Sequence, residues 1–248
     1  MKKSISPIQE RIDFIIPYLK NIKKNTKIID LGCGTGLLSK EIYLRKNISI
    51  IGVDLDKNNI DIAKKQCPEN KYYCADIKKI KNKLKADVII CSEVLEHLSN
   101  PSEILKKINN AIDNKGIVLI TIPNGYGPWE ILENQPLEII RNFIQDKPKV
   151  RYIYYRIRDI FRLGAKDSIN SNEGSRHVQR FTLIDILKLF KKTKFKIIEQ
   201  KNTHFFSSLL PFIVIRTKIP FVYHLDRWIC RLIPKKFSSG WGFLLKKE

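Results

Sequence analysis

The groups best equipped for chemistry in this 248-residue chain lie in two short runs. One is Ser92-Glu93-Val94-Leu95-Glu96-His97-Leu98 and the other is Asp30-Leu31-Gly32-Cys33-Gly34-Thr35-Gly36. If a helical turn begins after Ser92, then Glu93, Glu96 and His97 stand at i, i+3 and i+4 on one face. Two carboxylates and an imidazole so placed could bind Mg2+ or Mn2+, lowering the pKa of a substrate hydroxyl and orienting it. Without a metal the same set could act as a general base, and its plainest alternative role is to cap the helix. In the second run, glycines at 32, 34 and 36 let the backbone turn sharply and approach a ligand without Cβ clashes. The helix that follows then offers its unpaired amides to that ligand. The spacing is G-x-G-x-G, not the G-x-G-x-x-G of dinucleotide binders.

Such groups need a sheet to hold them. Apolar runs at 27–31, 48–53 and 71–75 end at or beside Asp30, Asp54 and Asp76. In an α/β sheet this places three carboxylates along the C-terminal edge, where ligands bind, and Asp54 follows the glycines at about the twenty-residue interval suited to ribose hydroxyls. Each acid taken singly could be a strand-end cap. Helical patterns at 37–46 and 101–114 alternate with strand patterns at 86–91 and 116–123, as parallel strands with crossover helices require. A capped helix at 182–192, a strand at 195–200 and a last strand at 238–246 complete the elements, and 8–19 reads as an amphipathic opening helix.

This arrangement resembles the class I S-adenosylmethionine-dependent methyltransferases, specifically over 27–123, moderately over 176–200 and slightly elsewhere. The resemblance implies a doubly wound, mostly parallel, Rossmann-like seven-stranded α/β sheet, with the last strand inserted antiparallel between strands five and six. It also implies S-adenosyl-L-methionine as cofactor. The glycine turn Gly32, Gly34 and Gly36 would lie against its methionine part, Asp54 would hold the ribose and Asp76 would meet the adenine amino group, with Asp30, Cys33, Leu55, Ile77 and Ser92 also among the cofactor-binding residues. E-x-x-E-H at 93–97 is similar to the element found in ubiquinone-biosynthesis O-methyltransferases and in small-RNA 2′-O-methyltransferases, where it is associated with a divalent metal. Type 11-like methyltransferases carry Glu-His-Leu at the same place with no metal assigned. His177, in His177-Val178-Gln179-Arg180-Phe181-Thr182, resembles the H-x-x-x-F-[ST] element that faces the substrate in bacterial small-molecule methyltransferases. Its alternative is a structural histidine bonded to a loop carbonyl.

Asn124, Tyr126, Trp129 and Glu130 follow the fifth strand at the same edge, and offer aromatic walls and a carboxylate to an acceptor. The chain reads as one domain, 1–248, with insertions at 124–180 and 202–237. His204 and His224, in the second insertion, read as packing residues. The five cysteines form no C-x-x-C pair and read as reduced thiols, and the N-terminus lacks the apolar core of a signal peptide. A cytoplasmic location follows as an expectation.

A net charge of +21 favours a polyanionic partner, although lysines scattered on helix faces and compositional bias would give the same sum. The charge clusters at 147–162, where Lys149, Arg151, Arg156, Arg158 and Arg162 alternate with tyrosines. With the apolar stretch 205–234, this suggests peripheral contact with an anionic membrane at its inner face. A lid, a second core layer or a homodimer face would use the same residues. The function expected is O-methylation of a small molecule, glycan or lipid-linked intermediate. The alternatives are an RNA 2′-O-methyltransferase, against which stands the lack of a recognisable RNA-binding module, and a non-catalytic cofactor-binding subunit.

Overall fold

The computed structural model describes residues 6, 8–79, 85–128, 131, 147, 178–205 and 220–248. Seven strands form one sheet: β1 Ile28–Leu31, β2 Ile51–Asp54, β3 Lys71–Cys74, β4 Ala86–Ser92, β5 Ile112–Pro123, β6 Phe195–Asn202 and β7 Gly240–Lys247. Their order is β3-β2-β1-β4-β5-β7-β6. All neighbouring pairs are parallel except those of β7, which runs antiparallel to both β5 and β6 as expected. The helices are α1 Gln9–Ile15, α2 Leu37–Lys46, α3 Lys57–Gln66, α4 Pro101–Ala111, α5 Leu183–Lys192 and α6 Pro220–Leu232.

The centre of the sheet is apolar on both faces because helices cover both. On one face α1 and α2 contribute Ile12, Phe14, Ile15, Leu38 and Ile42, packed on Ile28, Val88, Ile90 and Leu119. On the other, Ile104, Leu105 and Ile108 of α4 and Ile186 and Phe190 of α5 pack on Ile29, Leu31, Ile89, Cys91, Trp241 and Phe243. The pleat turns alternate residues to opposite faces. Asp30, between Ile29 and Leu31, therefore points to the α1/α2 side.

Local signals set most helix starts. The Asp56 side chain accepts the Asn58 amide at the head of α3, and Asn100 accepts the Glu103 amide at the head of α4, where Pro101 occupies the first position. Thr182 and Asp185 form a reciprocal capping box on α5. Several boundaries differ from the sequence pattern. The helix expected over 101–114 stops at Ala111, because Ile112 pairs with Ala86 of β4 and is fully buried. β2 starts at Ile51 rather than Ile48, although Ile48 and Ile50 remain buried. β6 runs two residues beyond Gln200, carried by pairing of Lys201 with Gly242 and Asn202 with Trp241. The C-terminal ends of β1, β2, β4, β5 and β6 thus share one edge of the sheet.

Candidate functional site

At that edge the three turn glycines all have left-handed backbone, with φ of 68° at Gly32, 53° at Gly34 and 76° at Gly36. Side chains rarely tolerate this conformation. A Cβ at Gly32 would stand 2.5 Å from a Val94 methyl, and one at Gly36 would stand 2.8 Å from the Ala63 Cβ. The turn is tied back to the sheet, as the Gly32 and Cys33 amides donate to the Val53 carbonyl at 2.8 and 3.1 Å. Gly36 is the N-cap of α2, so the first-turn amides of that helix open toward the turn. Cys33 is buried in the turn and lies beside Gly52.

Asp30 sits behind the turn rather than along its open side. It is buried, and one carboxylate oxygen accepts the Ser39 hydroxyl at 2.6 Å, clamping α2 to β1. Burial raises its pKa to about 7 against the lowering effect of Ser39, with Asp54 raising it further and Arg11 lowering it. Asp54 faces the turn directly. Its carboxylate accepts the Gly34 amide at 2.8 Å and the Asp56 amide at 2.9 Å, leaving lone pairs for hydroxyl donors. Leu55, beside it, is 72% exposed, an apolar surface at the rim. Asp76 accepts the Lys78 amide at 2.8 Å, and Ile77 is buried beneath it. Of the acids expected in register, Asp54 and Asp76 hold rim positions and Asp30 holds an interior one.

The end of β4 differs from the expectation. Ser92 and Thr121 share a hydroxyl hydrogen bond of 2.7 Å, and the Glu93 amide donates to the Thr121 carbonyl at 3.0 Å. Glu93 then takes φ of 56°, and only Leu95–His97 form a 3-10 turn. Glu93, Glu96 and His97 therefore do not share one helical face. Glu96 is buried, and His97 Nε2 lies 3.7 Å from Glu96 Oε1. Among the described residues no three His, Cys, Asp or Glu side chains gather to hold a metal ion, so this trio does not fit as the Mg2+ or Mn2+ ligand set. The first helical turn that would have aligned them is interrupted by the left-handed residue.

Asn124 has partners within the protein. It is buried, donates to the Lys236 and Ser238 carbonyls at 2.9 and 2.8 Å, and accepts the Tyr126 amide, so it fastens the end of β5 to the approach to β7. Its amide is spent on the protein itself. Tyr126 is 58% exposed and free to face an acceptor. Trp129, Glu130, His177 and the basic stretch from 148 to 162 lie outside the described residues.

His204, a packing residue by its sequence, holds a different place in the structure. It follows β6 at the ligand edge, where its ring is held by Thr203 through a 3.0 Å contact to Nδ1. A Cβ on Gly240 would lie 3.0 Å from His204 Cε1, so glycine there makes room for the imidazole. Burial lowers the pKa of His204, opposed by the charges of Asp226 and Glu93 and assisted by those of Arg11 and Arg227. Burial thus favours the neutral imidazole, on which Glu93 acts only through its charge. An isolated histidine carries no sequence signal for this, because its position depends on the antiparallel insertion of β7.

The sheet order, the antiparallel β7 and a glycine turn clasped by Asp54 define a Rossmann-like fold, an architecture whose ligands bind at the C-terminal edge of the sheet. The sequence profile of the methyltransferase domain family matches residues 5–200, and the chain belongs to that family. The ubiquinone biosynthesis O-methyltransferase of Pelagibacter ubique is 37% identical over 123 residues, covering 47% of this chain and 51% of the relative. The chain spans about half the length of the curated relatives it matches. A TehB-like S-adenosylmethionine-dependent methyltransferase from Corynebacterium glutamicum superposes with a TM-score of 0.56 at 14% identity, covering 100% of this chain and 90% of that one. The [4+2]-cyclase SpnF superposes with a TM-score of 0.59 at 12% identity, covering 99% of this chain and 84% of that one. These likenesses establish the fold, and the cyclase shows that the reaction must be argued from the site.

Proposed function

We propose that this chain transfers the methyl group of S-adenosylmethionine to a hydroxyl of a small molecule, glycan or lipid-linked intermediate. The observation that carries the reading is the pairing of the left-handed glycine turn with Asp54, whose carboxylate is aimed across the turn at Gly34. The name of the Pelagibacter relative supports the oxygen acceptor. When bound, the cofactor supplies an electrophilic methyl on a sulfonium. The turn and the first amides of α2 would receive its methionine part, Asp54 its ribose hydroxyls, and Leu55 and Asp76 the base. The charge of Arg11, on α1, acts on both Asp30 and His204.

Catalysis here rests on positioning an in-line attack. Among the described residues, His97, with 19% of its side chain exposed, and His204 are the imidazoles we assign to receiving the acceptor proton. No step passes through Glu93, Glu96 and His97 as metal ligands.

Calorimetry with S-adenosylhomocysteine tests the cofactor half. Incubation with methyl-labelled S-adenosylmethionine and fractionated metabolite and lipid extracts tests the acceptor half. The expected result is label in a product resistant to mild base and cleaved by boron tribromide, as an aryl or alkyl methyl ether is. Label in a base-labile ester or an amine would overturn the hydroxyl acceptor. Absence of S-adenosylhomocysteine binding would overturn the whole reading.

A further inference from the structure

The last helix carries a surface that neither the cofactor site nor the core uses. Phe221, Trp228 and Leu232 of α6 follow one another at intervals of seven and four residues, which places them on one stripe of the helix. They are 68%, 58% and 65% exposed, and Phe237 in the following 3-10 turn is 52% exposed. Tyr223, Asp226 and Cys230 form the opposite, buried side. Large apolar side chains aligned in solvent mark a surface that something covers.

Apart from the buried Asp226, the charges carried by α6 and the turn after it are of one sign. Arg231, Lys235 and Lys236 are exposed beside it, and Lys236 Nζ stands 4.9 Å from the centre of the Phe237 ring. From 220 to 240 the single acidic residue is Asp226, which is buried and directed at the Phe205 amide. We propose that α6 and the turn after it dock on an anionic lipid bilayer. Aromatic and leucine side chains rimmed by lysine and arginine match the boundary between headgroups and acyl chains. Protein interfaces, by contrast, are depleted of lysine. A thirteen-residue helix extends about 20 Å and would lie flat on the surface, being too short to cross it.

The stripe is rigidly joined to the ligand edge. Trp241 Nε1 donates to the Lys235 carbonyl at 2.7 Å, and Asn124 Nδ2 donates to that of Lys236 at 2.9 Å. Asn202, the last residue of β6, donates to the carbonyls of Cys230 and Ile233 at 2.9 and 3.3 Å. A bilayer under α6 therefore lies next to the acceptor end of the sheet, where a lipid-linked hydroxyl would be delivered.

Vesicle flotation tests this with the whole chain. The protein should float with vesicles of phosphatidylcholine and phosphatidylglycerol at low salt, and should sink with phosphatidylcholine alone or at high salt. Arg231→Glu with Lys235→Glu should weaken binding at least about thirtyfold, since each cation near an anionic surface contributes about 1 kcal/mol. Trp228→Glu should do the same through the apolar side. Both variants should keep wild-type affinity for S-adenosylhomocysteine in calorimetry, which separates loss of docking from loss of fold or of the cofactor site. If Trp228→Glu does not fold, the exposed charge pair decides alone. Wild-type protein that does not float, or floats equally with neutral vesicles, or variants that float unchanged, would each overturn the proposal. So would a dimer in gel filtration that Trp228→Glu dissociates, which would assign the stripe to a second copy of the chain.

Discussion

The main-chain carbonyl of Glu96 accepts the amide of Gln179 at 3.0 Å, and that of Val178 at 2.9 Å, across more than eighty residues of chain. The Gln179 side chain returns the contact by donating to the Leu98 and Ser99 carbonyls, both at 2.9 Å. The turn after β4 and the segment entering α5 are thereby one unit. Gln179→Ala removes two side-chain hydrogen bonds, at about 1 kcal/mol each. Its thermal midpoint should fall, and the acceptor KM should rise more than the dissociation constant for S-adenosylhomocysteine. Equal loss in both constants would mean that the unit serves the cofactor instead.

The clasp between Asp54 and Gly34 gives the second expectation. Asp54→Ala leaves ribose hydroxyls without their charged acceptor, a loss of about 1.5–3 kcal/mol, or roughly tenfold to a hundredfold in affinity. Gly34→Val adds a β-branched side chain at φ of 53° and should weaken binding further. Calorimetry with S-adenosylhomocysteine measures both, and wild-type affinity in the two variants would remove this site.

Asp30 makes stability depend on pH. Its carboxyl is raised from 3.8 to about 7, chiefly by burial. The folded state thus holds the proton more tightly, so stability is full below the unfolded value and declines as pH rises through about 7. At about 1.4 kcal/mol per unit, the decline totals on the order of 4 kcal/mol. Asp30→Asn lacks this penalty. Melting temperatures should therefore place the variant further above wild type at pH 8 than at pH 5, and a gap independent of pH would contradict the assignment.

His204→Gln should lower turnover at least tenfold while leaving affinity for S-adenosylhomocysteine within twofold, since general-base contributions are typically about a hundredfold or more. The wild-type rate should fall on the acid side as the imidazole gains its proton, and that limb should be lost in the variant. An unchanged acid limb would pass the role to His97.

Turnover should persist in EDTA, because Glu93 leaves the turn that carries Glu96 and His97. Abolition by EDTA with recovery in Mg2+ would show that ligands come from residues outside the described ones.

The sequence alone determined the sheet, its edge and the cofactor turn, because these depend on short-range rules. Apolar runs of strand length, three glycines two apart and acids at strand ends are local, and Gly32, Gly34 and Gly36 take the left-handed backbone with which the chain turns from β1 into α2. The catalytic side was legible only as a set of residue types. A helical turn at 93–97 was the natural reading of E-x-x-E-H, but the Glu93 amide is drawn to Thr121 of the neighbouring strand and the residue swings into the left-handed region. Asn124 looked available to an acceptor until the approach to β7 consumed its amide from more than a hundred residues away. His204 looked like packing until the insertion of β7 brought Gly240 beneath its ring. Each of these outcomes depends on partners distant in the chain, whose positions follow from the order of the strands. Tertiary structure alone decided them, since no local spacing records which carbonyl will lie opposite which amide.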